Sequence, residues 1–193
     1  MAAGSLASLV PELVGAGVDV IQLREKDMEG GEILRAAEPI AAACRDAGVP
    51  FVMNDRPDIA LLVGADGVHV GQDDLPVAAV RRVMPDAIVG GSTHSPEQID
   101  AAEQTSGLDY YAVGPVYATP TKPGRPGTGL ELIRYAANHS RLPWFAIGGI
   151  DHDNLGEVIK AGARRIVVVR AITEAPDPPA AAAALQALLD RVG

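Results

Sequence analysis

The residues best equipped for chemistry fall at regular intervals along the chain. Gln22, Arg24 and Lys26 are spaced by two. On a strand they point the same way. Two cations and an amide facing a barrel interior need an anion to offset their burial. The plainer alternative is an exposed strand with solvated charges, which parallel sheets seldom provide. Asn54-Asp55 and Gly71-Gln72-Asp73-Asp74 close two later apolar runs. Magnesium takes one or two carboxylates and completes its shell with water and phosphate oxygens. Asp55 and Asp74 near cationic side chains fit a metal–diphosphate site. Equally, Asp55, and Asp73 or Asp74, fit as caps of the helices that follow.

Further along stand Ser92-Thr93-His94, then a loop over 117–129 rich in Pro, Gly and Thr, with Thr119, Thr121, Lys122 and Arg125. Loops of that length in compact domains are usually functional or disordered. Its hydroxyls and cations suit an anionic ligand, and its glycines suit a lid. Gly148-Gly149 precede a helix, and Val169-Arg170 end the last apolar run. Such loops form phosphate sites in many barrels, although a glycine pair also makes an ordinary tight turn. The chain has no Walker phosphate loop, and GRPGTG is not a dinucleotide fingerprint. Its four histidines lack metal-ligand spacing. His69 reads as a satisfied core residue, and His139 and His152 as surface or capping positions. His94, just past a strand end, reads as structural ahead of catalytic.

The elements that would position these groups alternate. Strands are expected at 18–25, 50–55, 66–71, 87–92, 108–116, 143–150 and 164–172. They are short, β-branched and apolar without strict alternation, the pattern of a parallel sheet covered on both faces. Helices are expected near 5–16, 30–47, 57–64, 75–84, 96–106, 130–138, 153–161 and 178–191. Ser95, and Asp151 or Asp153, are cap candidates. Gly17, Gly48, Gly64, Gly107 and Gly162 each stop a helix just before a strand. The junctions AGVD (16–19), GAD (64–66), SGLD (106–109) and AGAR (161–164) repeat one helix-stop, turn and strand form. A doubly wound sheet would tolerate this count. The functional residues at successive strand ends favour a (β/α)8 TIM barrel, which calls for one more strand at the front.

The 193 residues suit one domain over 1–193 with a single core. A net charge of −9 makes nucleic acid a poor partner. No apolar run approaches the roughly 18 residues needed to cross a bilayer, and no signal peptide is evident. The single cysteine, Cys44, excludes a disulfide framework and reads as a buried thiol. These features point to the cytoplasm. They leave homo-oligomerisation open. Asn138-His139-Ser140 matches a glycosylation acceptor by chance in this setting.

Together, QLREK (22–26), ND (54–55), ADGVHVGQDD (65–74), the segment around Ser92 and His94, GPVYATPTK (114–122), IGGI (147–150) and the last strand before Ala171-Ile172 resemble the thiamine-phosphate synthase family. The order is the family's, and the pieces cover nearly the whole chain. The resemblance implies a (β/α)8 barrel enzyme, a Mg2+-dependent transferase. Its small-molecule substrates would be hydroxymethylpyrimidine diphosphate and thiazole phosphate, its products thiamine monophosphate and diphosphate. It implies that Gln22, Arg24, Lys26, Asn54, Ser92 and Lys122 hold the pyrimidine diphosphate, with Arg24, Ser92 and Lys122 catalytic. Asp55 and Asp74 would bind Mg2+. Thr119, Thr121, Gly149 and the Val169–Arg170 backbone would hold the thiazole phosphate. Two departures stand out. The family's opening strand is expected to be absent, the chain starting at the helix after it. Arginine also stands at 170, where the family often has serine. The alternatives are a thiazole tautomerase-like paralogue, acting through a histidine such as His94, and a non-catalytic thiamine-phosphate-binding barrel.

Overall fold

The structure, a computed structural model, describes residues 3–118 and 127–192. Helices alternate with strands in the order α1 (Ala3–Gly15), β1 (Ile21–Leu23), α2 (Gly30–Ala47), β2 (Phe51–Asn54), α3 (Pro57–Val63), β3 (Gly67–Val70), α4 (Val77–Val83), β4 (Ile88–Thr93), α5 (Pro96–Glu103), β5 (Tyr110–Val113), α6 (Gly129–His139), β6 (Trp144–Ile147), α7 (Leu155–Lys160), β7 (Ile166–Val167), α8 (Arg170–Thr173) and α9 (Pro178–Leu189). A single 3-10 turn, Asp190–Val192, follows.

All seven expected strands are present, and all pair in parallel in sequence order from β1 to β7. Each strand's neighbour in sequence is its neighbour in space, with a helix crossing between them. Connections of this kind are right-handed in almost all parallel sheets, and the sheet here curls. The result is a TIM-barrel-like half-barrel. The helical layer follows the curl until α1 packs against α9. β1 and β7 do not pair with each other. Among the described residues they are the two edges of the sheet.

Two faces of the sheet differ in chemistry. Ile21, Leu23, Phe51, Met53, Val68, Val70, Val89, Tyr111, Val113 and Ala146 belong to the apolar core, together with Ile33, Ala37, Ile40, Ile99, Ile133, Leu155 and Val158 from the helices. The residues between them in each strand face the other way. In register across the sheet they run Asn54, His69, Gly90 and Tyr110, followed one step on by Ser92, Ala112 and Phe145. This inner face carries the polar groups, and Asn54, His69 and Ser92 are buried there.

Glycine punctuation works as expected. Gly48 and Gly64 sit just past α2 and α3 at φ 69° and 67°, the left-handed conformation that ends a helix. Gly17, Gly107 and Gly162 are also left-handed. Two expected strands are corrected. The run 164–172 is a strand only over Ile166–Val167, and Arg170 opens the short helix α8. The strand expected over 18–25 likewise shortens to three residues, leaving Arg24 and Lys26 in the loop beyond it. Cys44 is buried as expected, and burial pushes its thiol up to about 11.

Candidate functional site at the strand ends

The chemistry-bearing residues meet where β1 to β4 run into their loops. Lys26 reaches across from the β1 loop to two carboxylates. Its Nζ lies 2.7 Å from Asp55 Oδ2 and 3.8 Å from Asp74 Oδ2. Asp55 holds its place with a left-handed backbone, φ 62°, the one non-glycine residue in that region among those described. Such strain persists where the surroundings demand it and gathers at functional sites. Here Asp55 N–H donates to His69 O at 2.8 Å, which ties the turn to β3. Asp74 Oδ2 accepts from Gly71 N at 2.9 Å and closes the turn after β3. Neither aspartate caps a helix: Arg56 and Pro76 occupy the cap positions of α3 and α4.

Burial raises the Asp55 carboxyl above its ordinary range. The Lys26 hydrogen bond opposes the rise, while Asp74, a like charge close by, adds to it. Two carboxylates therefore share one ammonium. The expectation that Lys26 requires an anionic ligand is met in part by the protein itself. Arg24 has no ion pair among the described residues. It lines a cavity of about 230 Å³ with Lys26, Gly71, Gln72, Asp73, Asp74 and His94. A second cavity of similar size is bounded by Lys26 with Glu25, Met28, Asp55 and Arg56.

The remaining groups stand on the inner face or in the loops just past it. Gln22 Nε2 donates to Asn54 Oδ1 at 3.2 Å, bringing β1 and β2 side chains together. Gln72 Nε2 donates to Ser92 O at 2.5 Å. Ser92 Oγ lies 2.9 Å from His69 Nε2, and His69 Nδ1 lies 3.1 Å from the Tyr110 hydroxyl. His69 is a satisfied buried residue, as expected, but it sits among the site groups. His94 Nδ1 contacts Gly114 O, and His94 N–H donates to Gln98 Oε1 at 2.7 Å.

At the far side of the sheet, Gly148 and Gly149 take φ 104° and 66°. A Cβ on Gly149 would meet Tyr117 Cβ at 2.8 Å, so both conformation and space require glycine. Asn154 Nδ2 donates to Gly149 O at 2.8 Å, and Asp151 Oδ1 accepts from Asp153 N and Asn154 N. Asp151 thus organises the turn before α7, whereas Asp153 caps nothing and Asn154 holds the cap position. Arg170 is exposed at the start of α8, with no ion pair to Glu174 or Asp177. Thr119, Thr121, Lys122 and Arg125 lie outside the described residues. The two ends of their loop are pinned together: Thr128 N donates to Pro115 O at 2.7 Å and Gly129 N to Val116 O at 3.0 Å.

Reading the sequence alone missed Tyr110 as a site residue. The only signal was its place on the inner face opposite Gly90, and that requires the strand register.

A family model described as thiamine monophosphate synthase matches residues 2–172. The thiamine-phosphate synthase of Acidothermus cellulolyticus is 53% identical over 188 residues, covering 96% of this chain and 89% of that protein. The thiamine-phosphate synthase of Thermus thermophilus is 56% identical over 175 residues, covering 90% and 84%. Among solved structures, a thiamine phosphate pyrophosphorylase from Pyrococcus furiosus superimposes with a TM-score of 0.87 at 33% identity. That match covers 96% of this chain and 90% of the other.

Proposed function

The chain belongs to the thiamine monophosphate synthase family and is a transferase acting as a thiamine-phosphate synthase; from that premise we propose that its strand-end site joins hydroxymethylpyrimidine diphosphate to thiazole phosphate, releasing diphosphate. The observation that carries the site assignment is Lys26 held between Asp55 and Asp74 beside Arg24. That cluster can bind a diphosphate and a divalent cation together.

The donor set fits magnesium. Two adjacent carboxylates with a shared cation need more positive charge than one ammonium gives, and magnesium is commonly held by one or two carboxylates. Asp55 and Asp74 would hold it. When bound, it neutralises charge on diphosphate oxygens. The protein's own groups do the rest. Arg24, Lys26 and Lys122 hold the diphosphate and stabilise the charge that builds on it as the carbon–oxygen bond breaks. Gln22, Asn54 and Ser92 orient the pyrimidine from the inner face. The attacking atom is the thiazole ring nitrogen, so no serine or cysteine nucleophile is required. Holding both substrates in line supplies much of the rate. Thr119, Thr121, Gly149 and the Val169–Arg170 backbone take the thiazole phosphate, with Arg170 exposed and available beside it.

The residues 1–193 form one domain in this reading. Its finer architecture is a (β/α)8 barrel in which one further strand's place lies between β1 and β7. An N-terminal extension carrying an apolar strand is then expected to raise the melting temperature. An unchanged melting temperature would mean that the sheet closes another way.

The deciding experiment supplies both substrates with Mg2+ and follows diphosphate release. Turnover that requires both substrates supports the assignment. A protein that binds the product without turnover is a binding barrel. One that only exchanges a thiazole proton is a tautomerase, a reading the synthases named above do not favour.

A further inference from the structure

A polar chain behind Ser92 adds two residues, Tyr110 and His69, that the mechanism above does not use. It links three adjacent strands: Tyr110 on β5, His69 on β3 and Ser92 on β4. Gly90 lies between them in register, and a Cβ there would sit 2.1 Å from Tyr110 Cζ. The missing side chain lets the tyrosine ring lie across β4 and reach the histidine. Phe145 packs edge-on against the same ring, with centroids 5.4 Å apart.

The directions of these hydrogen bonds follow from counting donors. Burial pushes the Tyr110 phenol far above its ordinary range, so it stays protonated. Among the described residues its only hydrogen-bond partner is His69 Nδ1. The half-buried phenol has no other acceptor among the described residues, so it donates and Nδ1 accepts. A neutral imidazole carries one hydrogen, which must then be on Nε2. Nε2–H donates to Ser92 Oγ. The serine oxygen is occupied as an acceptor, and its own hydrogen is left for a ligand. Without Tyr110 either tautomer would serve, and the serine could equally donate inward to the histidine.

We infer that Tyr110 and His69 are positioning residues that fix the Ser92 hydroxyl as a hydrogen-bond donor toward an acceptor atom of the pyrimidine diphosphate. This rests on the assignment of Ser92 to that half-site. Gln72, which lines the cavity, holds the Ser92 backbone oxygen and so fixes the strand end that carries the hydroxyl.

The test has a readout that needs no substrate. Imidazole 15N shifts in the wild-type protein near neutral pH should report His69 as the Nε2–H tautomer, its signal identified by its loss in His69→Gln. An Nδ1–H tautomer or an imidazolium overturns the proposal. In kinetics, Tyr110→Phe should lower kcat/KM for the pyrimidine diphosphate about tenfold, the size of one neutral hydrogen bond. KM for the thiazole phosphate should stay within about twofold on the same scale. His69→Gln can still accept from Tyr110 and donate to Ser92, so it should keep most activity, whereas His69→Leu should lose it. Wild-type kinetics in Tyr110→Phe, or equal activity in the Gln and Leu variants, overturns the relay. Should Tyr110→Phe not fold, the tautomer and the Gln–Leu pair decide. Absence of turnover in the wild-type protein would instead remove the synthase reading and leave the tautomer as measured.

Discussion

A side chain's worth at this site depends on what it touches before substrate arrives. Lys26 is committed to two carboxylates, whereas Arg24 has no ion pair among the described residues. Arg24→Ala should therefore leave the melting temperature nearly unchanged. Its turnover should fall by about one to two decades, the loss of a charge-assisted hydrogen bond worth about 1.5–3 kcal/mol in the transition state. Steady-state kinetics beside a thermal melt check this, and wild-type kinetics would reject the role. Arg170→Ser should raise KM for the thiazole phosphate severalfold and leave that for the pyrimidine diphosphate alone. Equal rises in both would point to a loosened sheet end. Gly90→Ala probes packing, since the added methyl meets a tyrosine ring wedged against Phe145. Overpacking of that kind costs about 1–3 kcal/mol, read as a lowered melting temperature. The meeting of Lys26, Asp55 and Asp74 was legible in the sequence, because all three lie at or just past the ends of successive strand candidates. What escaped was the inward contact of Tyr110 with His69. They are 41 residues apart in sequence and meet only through a third strand.

At the scale of elements, boundaries were legible where a backbone constraint marks them. Helix α2 runs over 30–47 as the sequence suggests, because Gly48 takes the left-handed turn that stops it. Ser95 caps α5 through Gln98 N, also as expected. The run 164–172 failed for a physical reason. An apolar β-branched stretch reads alike as a buried strand or as a short helix leaving one. Here Val169 turns out of the strand at φ −117° and ψ −85°, and the chain coils at Arg170. Two stop glycines offer a paired test. A Cβ at Gly48 meets nothing within 4 Å, so Gly48→Ala isolates the left-handed backbone cost of about 1 kcal/mol. A Cβ at Gly162 would also lie 2.4 Å from Ala137 Cβ. Gly162→Ala should cost clearly more in chemical denaturation. Equal losses would show that Ala137 yields freely.

At the scale of the whole molecule, the apolar face toward the helices and the polar inner face divide stability from chemistry. Removing divalent cations with a chelator is then expected to abolish turnover and leave the fold, with activity returning on addition of Mg2+. Asp74→Asn should need more Mg2+ for the same rate. Full activity of that variant at low Mg2+ would overturn the metal assignment, and collapse of the fold on chelation would overturn the division.

That β1 and β7 are the sheet's two edges among the described residues has a consequence in time. A central strand leaves the sheet only when neighbours on both sides let go, whereas an edge strand has a partner on one side. Deuterium should therefore enter first at Ile21–Leu23 and Ile166–Val167 and last at β3 to β5. Uniform exchange across all seven strands would mean that the sheet opens as one unit. If the gradient holds, the Lys26 loop hangs from an early-opening strand, while Ser92 and Tyr110 ride on the slowest. One side of the reaction space would breathe on its own clock while the other keeps still.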